Sequence, residues 1–252
     1  MSGKRVYIVS VFLFMAMSRM SSQEVIPVQK TGGEGMIHVY LEKTGPARAF
    51  IDGKNYYPYY LNAKNIPLLR DEERRSARLT INGRSYENLV LKYDTYTDDI
   101  IYTDDSLIYD NRVRQVALNK YKVSSFDLIF SYDTLFFRYF SKESDSTFNL
   151  PEGFYEVARS GEVTYLIRHR SYATKAAPGY NAPSLRDYVY KPENYIRIDN
   201  DFVRITSRRQ FTQLFGEHSH EINRYLQSRR INISKADKRQ IIEVLRYYEV
   251  II

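Results

Sequence analysis

The residues best equipped for chemistry are few and scattered. Glu217-His218-Ser219-His220-Glu221 holds the two histidines that lie close in sequence, and a His-x-His pair presents both imidazoles to one metal when the backbone is extended. On a helix, residues two apart point about 200° from one another, and these residues fall where a helix begins. His218 and His220 are therefore weak metal candidates, and a polar turn capped by His218 or Ser219 accounts for them. His38 and His169 lie in strand-like runs and are read as sheet residues.

Asp94, Asp98, Asp99, Asp104, Asp105 and Asp110 form an acidic string. Hard cations such as calcium favour clustered carboxylates, but the loop glycine and terminal glutamate of the EF-hand spacing are missing. Interleaved with Tyr93, Tyr96, Tyr102 and Tyr109, these aspartates suit hairpin ends, where Asp accepts backbone donors. The chain has no Gly-x-Ser-x-Gly elbow, no phosphate-cradling glycine loop and no His-Glu-x-x-His helix. No catalytic residue and no cofactor is nominated; a hydrolase would need a site assembled from scattered residues.

Tyrosine is the dominant polar-tipped side chain, with 24 Tyr and 13 Phe but no Trp. A phenol joins an apolar ring to a polar tip, which suits a half-buried sheet face, a protein interface or a sugar platform. Tyr56-Tyr57-Pro58-Tyr59-Tyr60 is the densest tract. Pro58 bars a central ladder position, so Tyr56, Tyr57, Tyr59 and Tyr60 are read as the contact residues of a binding surface, against the plainer alternative of edge-strand packing.

The elements that position these residues are strands. Across residues 36–205 apolar side chains recur at spacing two, rich in β-branched and aromatic types and bounded by Gly, Asn-Gly, Asp-Gly and Pro. Leu89, Leu91 and Tyr93 share a face; so do Phe126, Leu128 and Phe130; Leu135, Phe137 and Tyr139; and Val163, Tyr165 and Ile167. Asp52-Gly53 and Asn82-Gly83 accept the positive φ angles of a type I′ turn, and the likeness of Ile51-Asp52-Gly53-Lys54-Asn55-Tyr56 to Ile81-Asn82-Gly83-Arg84-Ser85-Tyr86 reads as one hairpin chemistry used twice. Gly161 marks a further hairpin, and Asp199-Asn200 another. Residues 69–75 form a solvated charge run, and residues 173–184 a long loop or lid.

After residue 205 the period changes. Ser207 with Gln210 is a capping-box pattern, Phe211, Leu214 and Phe215 make a helical stripe, and Gly216 stops it. Ile222, Tyr225 and Leu226 support a second helix; Ser234 with Asp237 opens a third, with Ile241, Val244, Leu245 and Tyr248 as its stripe. The expected architecture is mainly β: antiparallel sheets over residues 36–205, as a sandwich or partly open barrel, and a C-terminal cap of two to three helices over residues 206–252.

At the other end, Lys4 and Arg5 precede an apolar run over residues 6–17 that is interrupted by Ser10. It is shorter than the ~20 residues of a membrane span and has the anatomy of a secretory signal peptide, ending near residue 22 and followed by a flexible segment over residues 23–35. Lys4, Arg5 and Arg19 would leave with it and no acid, lowering the formal charge from +7 to +4. Basic and acidic residues alternate, so nucleic acid is not an expected partner. The absence of cysteine excludes disulfides, thiolate metal sites and a cysteine nucleophile.

The signal-like start, the run Asn82-Gly83-Arg84-Ser85-Tyr86-Glu87-Asn88-Leu89-Val90-Leu91-Lys92-Tyr93-Asp94-Thr95-Tyr96, the hairpin residues Gly153-Phe154-Tyr155-Glu156-Val157 and the helical tail over residues 215–248 together resemble uncharacterised exported β-rich proteins of Gram-negative bacteria. The resemblance implies fold and export, and brings no activity with it. Three functions are therefore weighed. The first is a non-enzymatic envelope protein, periplasmic or at the cell surface, that binds or scaffolds an envelope protein or glycan through its aromatic surface. The second is a periplasmic carrier of a lipid-like hydrophobic ligand in a β barrel or half-barrel. The third is a hydrolase. After signal cleavage no transmembrane span is expected.

Overall fold

The computed structural model describes residues 50–61, 63–71, 76–109, 112–141, 149–175, 186–198 and 201–252. The residues read as a signal peptide (1–22), those read as the segment after it (23–35), the start of the expected β region and most of the candidate lid lie outside them, as does Asp110. The described strands are β1 Gly53–Asn55, β2 Ser76–Ile81, β3 Arg84–Leu89, β4 Leu91–Asp94, β5 Asp99–Tyr109, β6 Arg112–Leu118, β7 Val123–Ile129 and β8 Thr134–Phe140. They continue with β9 Gly153–Arg159, β10 Val163–Arg168, β11 Ser171–Lys175, β12 Arg186–Tyr190, β13 Glu193–Ile198 and β14 Asp201–Ile205. Three helices follow: α1 Arg208–Gln213, α2 Ser219–Ser228 and α3 Lys238–Ile251. No described helix is long and apolar enough to cross a membrane.

Every strand pair is antiparallel, in an eight-stranded sheet ordered β14-β13-β10-β9-β8-β7-β2-β3, a four-stranded sheet ordered β1-β6-β5-β4, and the ribbon β11-β12. The fold is thus mainly β with a helical cap, and the described strands form no closed barrel. Period-two alternation explains why one side of the long sheet is apolar. Ala77, Leu79, Ile81, Phe126, Leu128, Leu135 and Phe137 face the short sheet's Leu91, Tyr93, Ile100, Tyr102, Val116 and Leu118, all in one buried cluster. Phe126 and Phe137 stack at 4.4 Å within it. Farther along the long sheet, Val163, Tyr165, Ile167 and Ile196 meet Phe211, Phe215, Ile222, Leu226, Ile241, Val244 and Leu245 of the helical region. A seam between sandwich and cap therefore crosses β9 and β10.

Three local expectations are corrected by this arrangement. Leu89, Leu91 and Tyr93 do not lie on one strand: Asn88 takes a positive φ of 57°, and the chain leaves the long sheet at Leu89 and enters the short one at Leu91. The two Gly-containing hexads are not one device used twice. Asn82 and Gly83, at φ 51° and 71°, turn β2 into β3 as expected, whereas Gly53 begins β1 opposite Leu118. There a Cβ would sit 2.0 Å from the Ala117 carbonyl oxygen, so Gly53 serves close strand approach. Finally, the capping box of α3 is formed by Asp237 with Gln240, and Ser234 lies before it in the preceding turn. Ser207 caps α1 through the Gln210 amide, as its position suggested.

Candidate functional site

The four tyrosines nominated from sequence do not form one exposed surface. Tyr56 and Tyr60 are each 8 % exposed and pack with Leu68, Ile101, Ala117 and Tyr188, whereas Tyr57 is 76 % and Tyr59 43 % exposed. What organises them is Asp94, at the end of β4. Its Oδ2 accepts the hydroxyls of Tyr56 at 2.7 Å and Tyr59 at 2.6 Å, and its Oδ1 accepts the amides of Tyr96 and Thr97. A buried carboxylate with four donors is a satisfied one. Tyr59 touches the rings of Tyr56, Tyr60, Tyr96 and Tyr188. Burial, reinforced by the Asp94 charge, pushes the Tyr56 and Tyr59 phenols far above the ordinary range, and burial takes Tyr60 to about 12. Tyr56 and Tyr59 are fixed, neutral donors to Asp94.

Behind this cluster the chain builds a groove. Residues 67–69 are tied to the sandwich by the Leu69 amide on the Tyr93 carbonyl and the Thr95 amide on the Pro67 carbonyl. Across from them, β11 is tied to the same turn by the Ser171 amide on the Thr95 carbonyl and by paired Thr95 and Ser171 hydroxyls at 2.7 Å. Between residues 64–71 and β12 lies an open groove of about 650 Å³, lined by Lys64, Asn65, Ile66, Leu68, Arg70, Asp71, Tyr188, Val189 and Tyr190. One end is clasped by Asp187, which accepts the Asn65 amide at 2.8 Å, its side-chain Nδ2 at 3.0 Å and the Tyr188 amide at 3.0 Å. The Asn65 amide, assisted by these others, holds the Asp187 carboxyl below the usual range.

The opposite end is held from the interior. Tyr190 keeps its ring 47 % exposed toward the groove but turns its hydroxyl inward to His169 Nδ1 at 2.6 Å. His169 Nε2 lies 2.8 Å from Glu156 Oε2. The other oxygen of Glu156 accepts from Lys238 Nζ at 2.9 Å, and Lys238 also reaches Asp133 at 3.3 Å. Asp133 in turn lies 3.5 Å from the Arg70 guanidinium, which covers the Phe130 ring at 5.0 Å. The chain Tyr190–His169–Glu156–Lys238–Asp133–Arg70 thus leaves the groove, crosses the seam between sandwich and cap, and returns to the groove.

Its centre is a charge where apolar side chains are expected. Glu156 pairs with Phe137 on β8 and Ile167 on β10, both core residues, and is almost fully buried. Burial alone would raise its pKa, but the bonds from His169 and Lys238 outweigh burial and keep it below the usual carboxylate range. With Glu156 ionised, His169 Nε2 donates to it, and Nδ1 and the Tyr190 hydroxyl share a hydrogen bond on the other side of the ring. Carboxylate, imidazole and hydroxyl in this order can activate a nucleophile. Here, however, burial and the Glu156 charge push the Tyr190 phenol upward, and its hydroxyl points away from the groove. The arrangement acts as a brace for Tyr190.

Arg70 carries a second sign of constraint, a φ of 48° in the left-handed region that non-glycine residues rarely occupy. The backbone there directs the guanidinium toward Phe130 and the groove.

The other sequence candidates are placed as follows. Asp98 is buried and accepts the Tyr93 hydroxyl at 2.6 Å; burial raises its pKa despite Tyr93, Lys120 and Arg168. Lys120 donates to the Thr97 and Asp98 carbonyls and lies 3.9 Å from Asp99, which places an ammonium beside these aspartates. His218 packs on Tyr248 and lies 3.6 Å from Glu217, while His220 falls in the first turn of α2. Among the described residues no three His, Asp or Glu converge as a metal would require.

Arg70, His169, Tyr190, Glu156 and Lys238 were not singled out from sequence as a site. One signal was readable: Glu156 shares an inward phase of β9 with Phe154. The chain matches no protein-family model, no curated protein and no solved structure.

Proposed function

We propose that the protein is an exported, non-enzymatic recognition protein of the cell envelope, which binds its partner in the groove between β12 and residues 64–71. The observation that carries this reading is the double bracing of the groove wall. Arg70 and Tyr190, two side chains on the groove surface, are linked through one chain of polar contacts that is buried at Glu156 and His169, and the Asp94 cluster fixes the tyrosines beneath. Side chains ordered in advance lose less entropy on binding, which favours recognition. The apolar run at residues 6–17 supports export, and the tyrosine cluster that suggested a contact surface reaches the groove where the Tyr59 ring meets Tyr188 of its lining.

The test is site-specific photocrosslinking in cells that export the full chain. A photoreactive residue in place of Val189 should give a discrete adduct on a processed form of the protein. The same residue in place of Glu87, exposed on the far edge strand β3, should give none. Adducts from Glu87 but not Val189 would remove the groove from the reading, and an unprocessed chain would remove the envelope.

A further inference from the structure

We infer that the outer face of the short sheet carries a further binding site, which takes a neutral sugar residue by a pair of adjacent hydroxyls at Asp99. It shares no lining residue with the groove and does not depend on it. Register builds the site. β6 lies between β1 and β5 and pairs Ala117 with Lys54 on one side and with Ile101 on the other. Side chains two apart share a face, so Asp99, Lys54 and Asp52 lie on the face turned away from the sandwich core, which holds Ile100 and Leu118. The bond from the Asn119 amide to the Asp52 carbonyl continues the row past the end of β6, and the chain then turns through Lys120 and Tyr121. Together with Thr97 these residues line an open pocket of about 650 Å³, a volume in the range of small-ligand sites.

Asp99 is the unusual member. It is 9 % exposed, yet neither of its carboxylate oxygens accepts a hydrogen bond from a described residue. Lys120 Nζ stands 3.9 Å from Oδ1 and Lys54 Nζ 3.9 Å from Oδ2, and both gaps are too long for a hydrogen bond. An oxygen about 2.8 Å from both atoms closes such a gap, accepting from the ammonium and donating to the carboxylate. One carboxylate flanked in this way offers two neighbouring positions, which adjacent hydroxyls of a sugar ring match. Lys120 is already oriented: the Thr97 and Asp98 carbonyls, at 3.2 and 3.4 Å, take two of its three protons and leave one for a ligand. On the same wall the Asn119 side chain makes no capping bond and the Thr97 hydroxyl is buried without a partner, so further hydrogen-bonding capacity is unused.

Chemistry selects the occupant. Asp52 is bridged by Lys122 at 2.6 Å, which leaves Asp99 as the acceptor. That carboxylate opposes an anion at the centre of the site, and the ammoniums on either side of it oppose a cation. A neutral polyol donates to the one and accepts from the others, forming charge-assisted bonds with both. An apolar ligand would cover Asp99 and give it no donor, which is costly. Tyr121, 72 % exposed and buttressed edge-on by Tyr139 at 6.2 Å, supplies an apolar ring for the C–H face of the sugar.

A calorimetric screen of the purified protein against methyl hexosides and neutral hexose oligosaccharides, with a hexuronate and a hexosamine as charged controls, tests the site. A neutral sugar should bind best, and its deoxy form lacking either hydroxyl of the pair should bind at least about tenfold more weakly. Binding of the methyl hexoside identifies a free sugar as sufficient, and binding of the oligosaccharide alone identifies a chain; both support the site. Asp99→Asn, which removes one acceptor, and Tyr121→Ser should each weaken binding by about tenfold or more. Tyr121→Ser, at an exposed ring, should keep the melting temperature of the parent, so that its loss of binding is not a loss of fold. No binding by any neutral sugar, tighter binding of the hexuronate or hexosamine, or undiminished binding by both variants overturns the inference. So does sugar binding that is lost in the groove variant Val189→Ser and kept in Asp99→Asn, an outcome that leaves the groove standing.

Discussion

Replacing Lys238 by methionine tests the bracing of the groove at its buried centre. The change keeps the length of the side chain and removes the ammonium that lies 2.9 Å from Glu156, whose side chain is 4 % exposed. Breaking a fully buried ion pair by removing one partner costs about 3–5 kcal/mol. Lys238 is 26 % exposed, and Glu156 retains His169, so about 2–3 kcal/mol is expected here. That corresponds to a melting temperature lower by about 5–10 °C for a domain of this size.

The pH dependence follows from the direction of the shift. Because the folded Glu156 pKa is depressed, its contribution is present above the unfolded pKa of about 4.3 and is lost as pH falls through the folded value. Without Lys238 the folded pKa rises, so the variant is penalised at neutral pH and less so once Glu156 takes up a proton. Urea unfolding of both proteins at pH 7 and near pH 4.5 should show the difference between them narrowing in acid. The double variant Glu156→Gln, Lys238→Met should lose less than the sum of the single losses. A deficit below about 0.5 kcal/mol at pH 7, within the range of an ordinary surface change, or one that is constant with pH, would refute the reasoning.

Gly53→Ala should destabilise the protein by at least about 2 kcal/mol, because the new methyl meets the Ala117 backbone carbonyl and not a movable side chain; thermal unfolding checks it, and a neutral result would mean that β1 is not a required strand. Tyr57→Ser should stay within about 0.5 kcal/mol of the parent, whereas Tyr56→Ser, which removes a buried ring and a donor to Asp94, should cost about 3 kcal/mol or more; equal effects would contradict the division between buried and exposed tyrosines. Since the folded Asp98 pKa is raised, that carboxyl binds its proton more tightly folded than unfolded, and its penalty grows as pH rises from the unfolded toward the folded pKa. Asp98→Asn should therefore flatten the stability profile across that window in pH-dependent denaturation, and an unchanged slope would count against it.

Period-two runs were enough to place β7 and β8 and their inward faces, because each has one buried side and alternation is a local property; β10 was placed as well, although both its faces are buried. The caps of α1 and α3 were legible for the same reason, although the true box of α3, Asp237 with Gln240, lies three residues later than Ser234 suggested. Leu89 and Leu91 show the limit. The apolar pattern continues through Val90, but the chain changes sheets there, and only long-range pairing of β3 with β2 and of β4 with β5 reveals it. Gly53 and Gly83 look alike in their hexads and differ because one meets a neighbouring strand and the other turns back on itself. The groove was not legible: Arg70 stood in what read as a solvated charge run, and its partners Asp133, Lys238, Glu156 and His169 come from separate elements joined only by tertiary packing. The tyrosine tract divides, because packing against Leu68, Ile101, Ala117 and Tyr188 takes Tyr56 and Tyr60 inward and leaves Tyr57 and Tyr59 exposed, a division that only tertiary contacts reveal.

Hydrogen exchange compared between the protein in intact envelopes and the same protein purified from them tests the central claim most directly. The account predicts slower exchange in the envelope at residues 64–71 and 186–190, with the three helices unchanged. Equal exchange in both states, or protection confined to the helical cap, would contradict it.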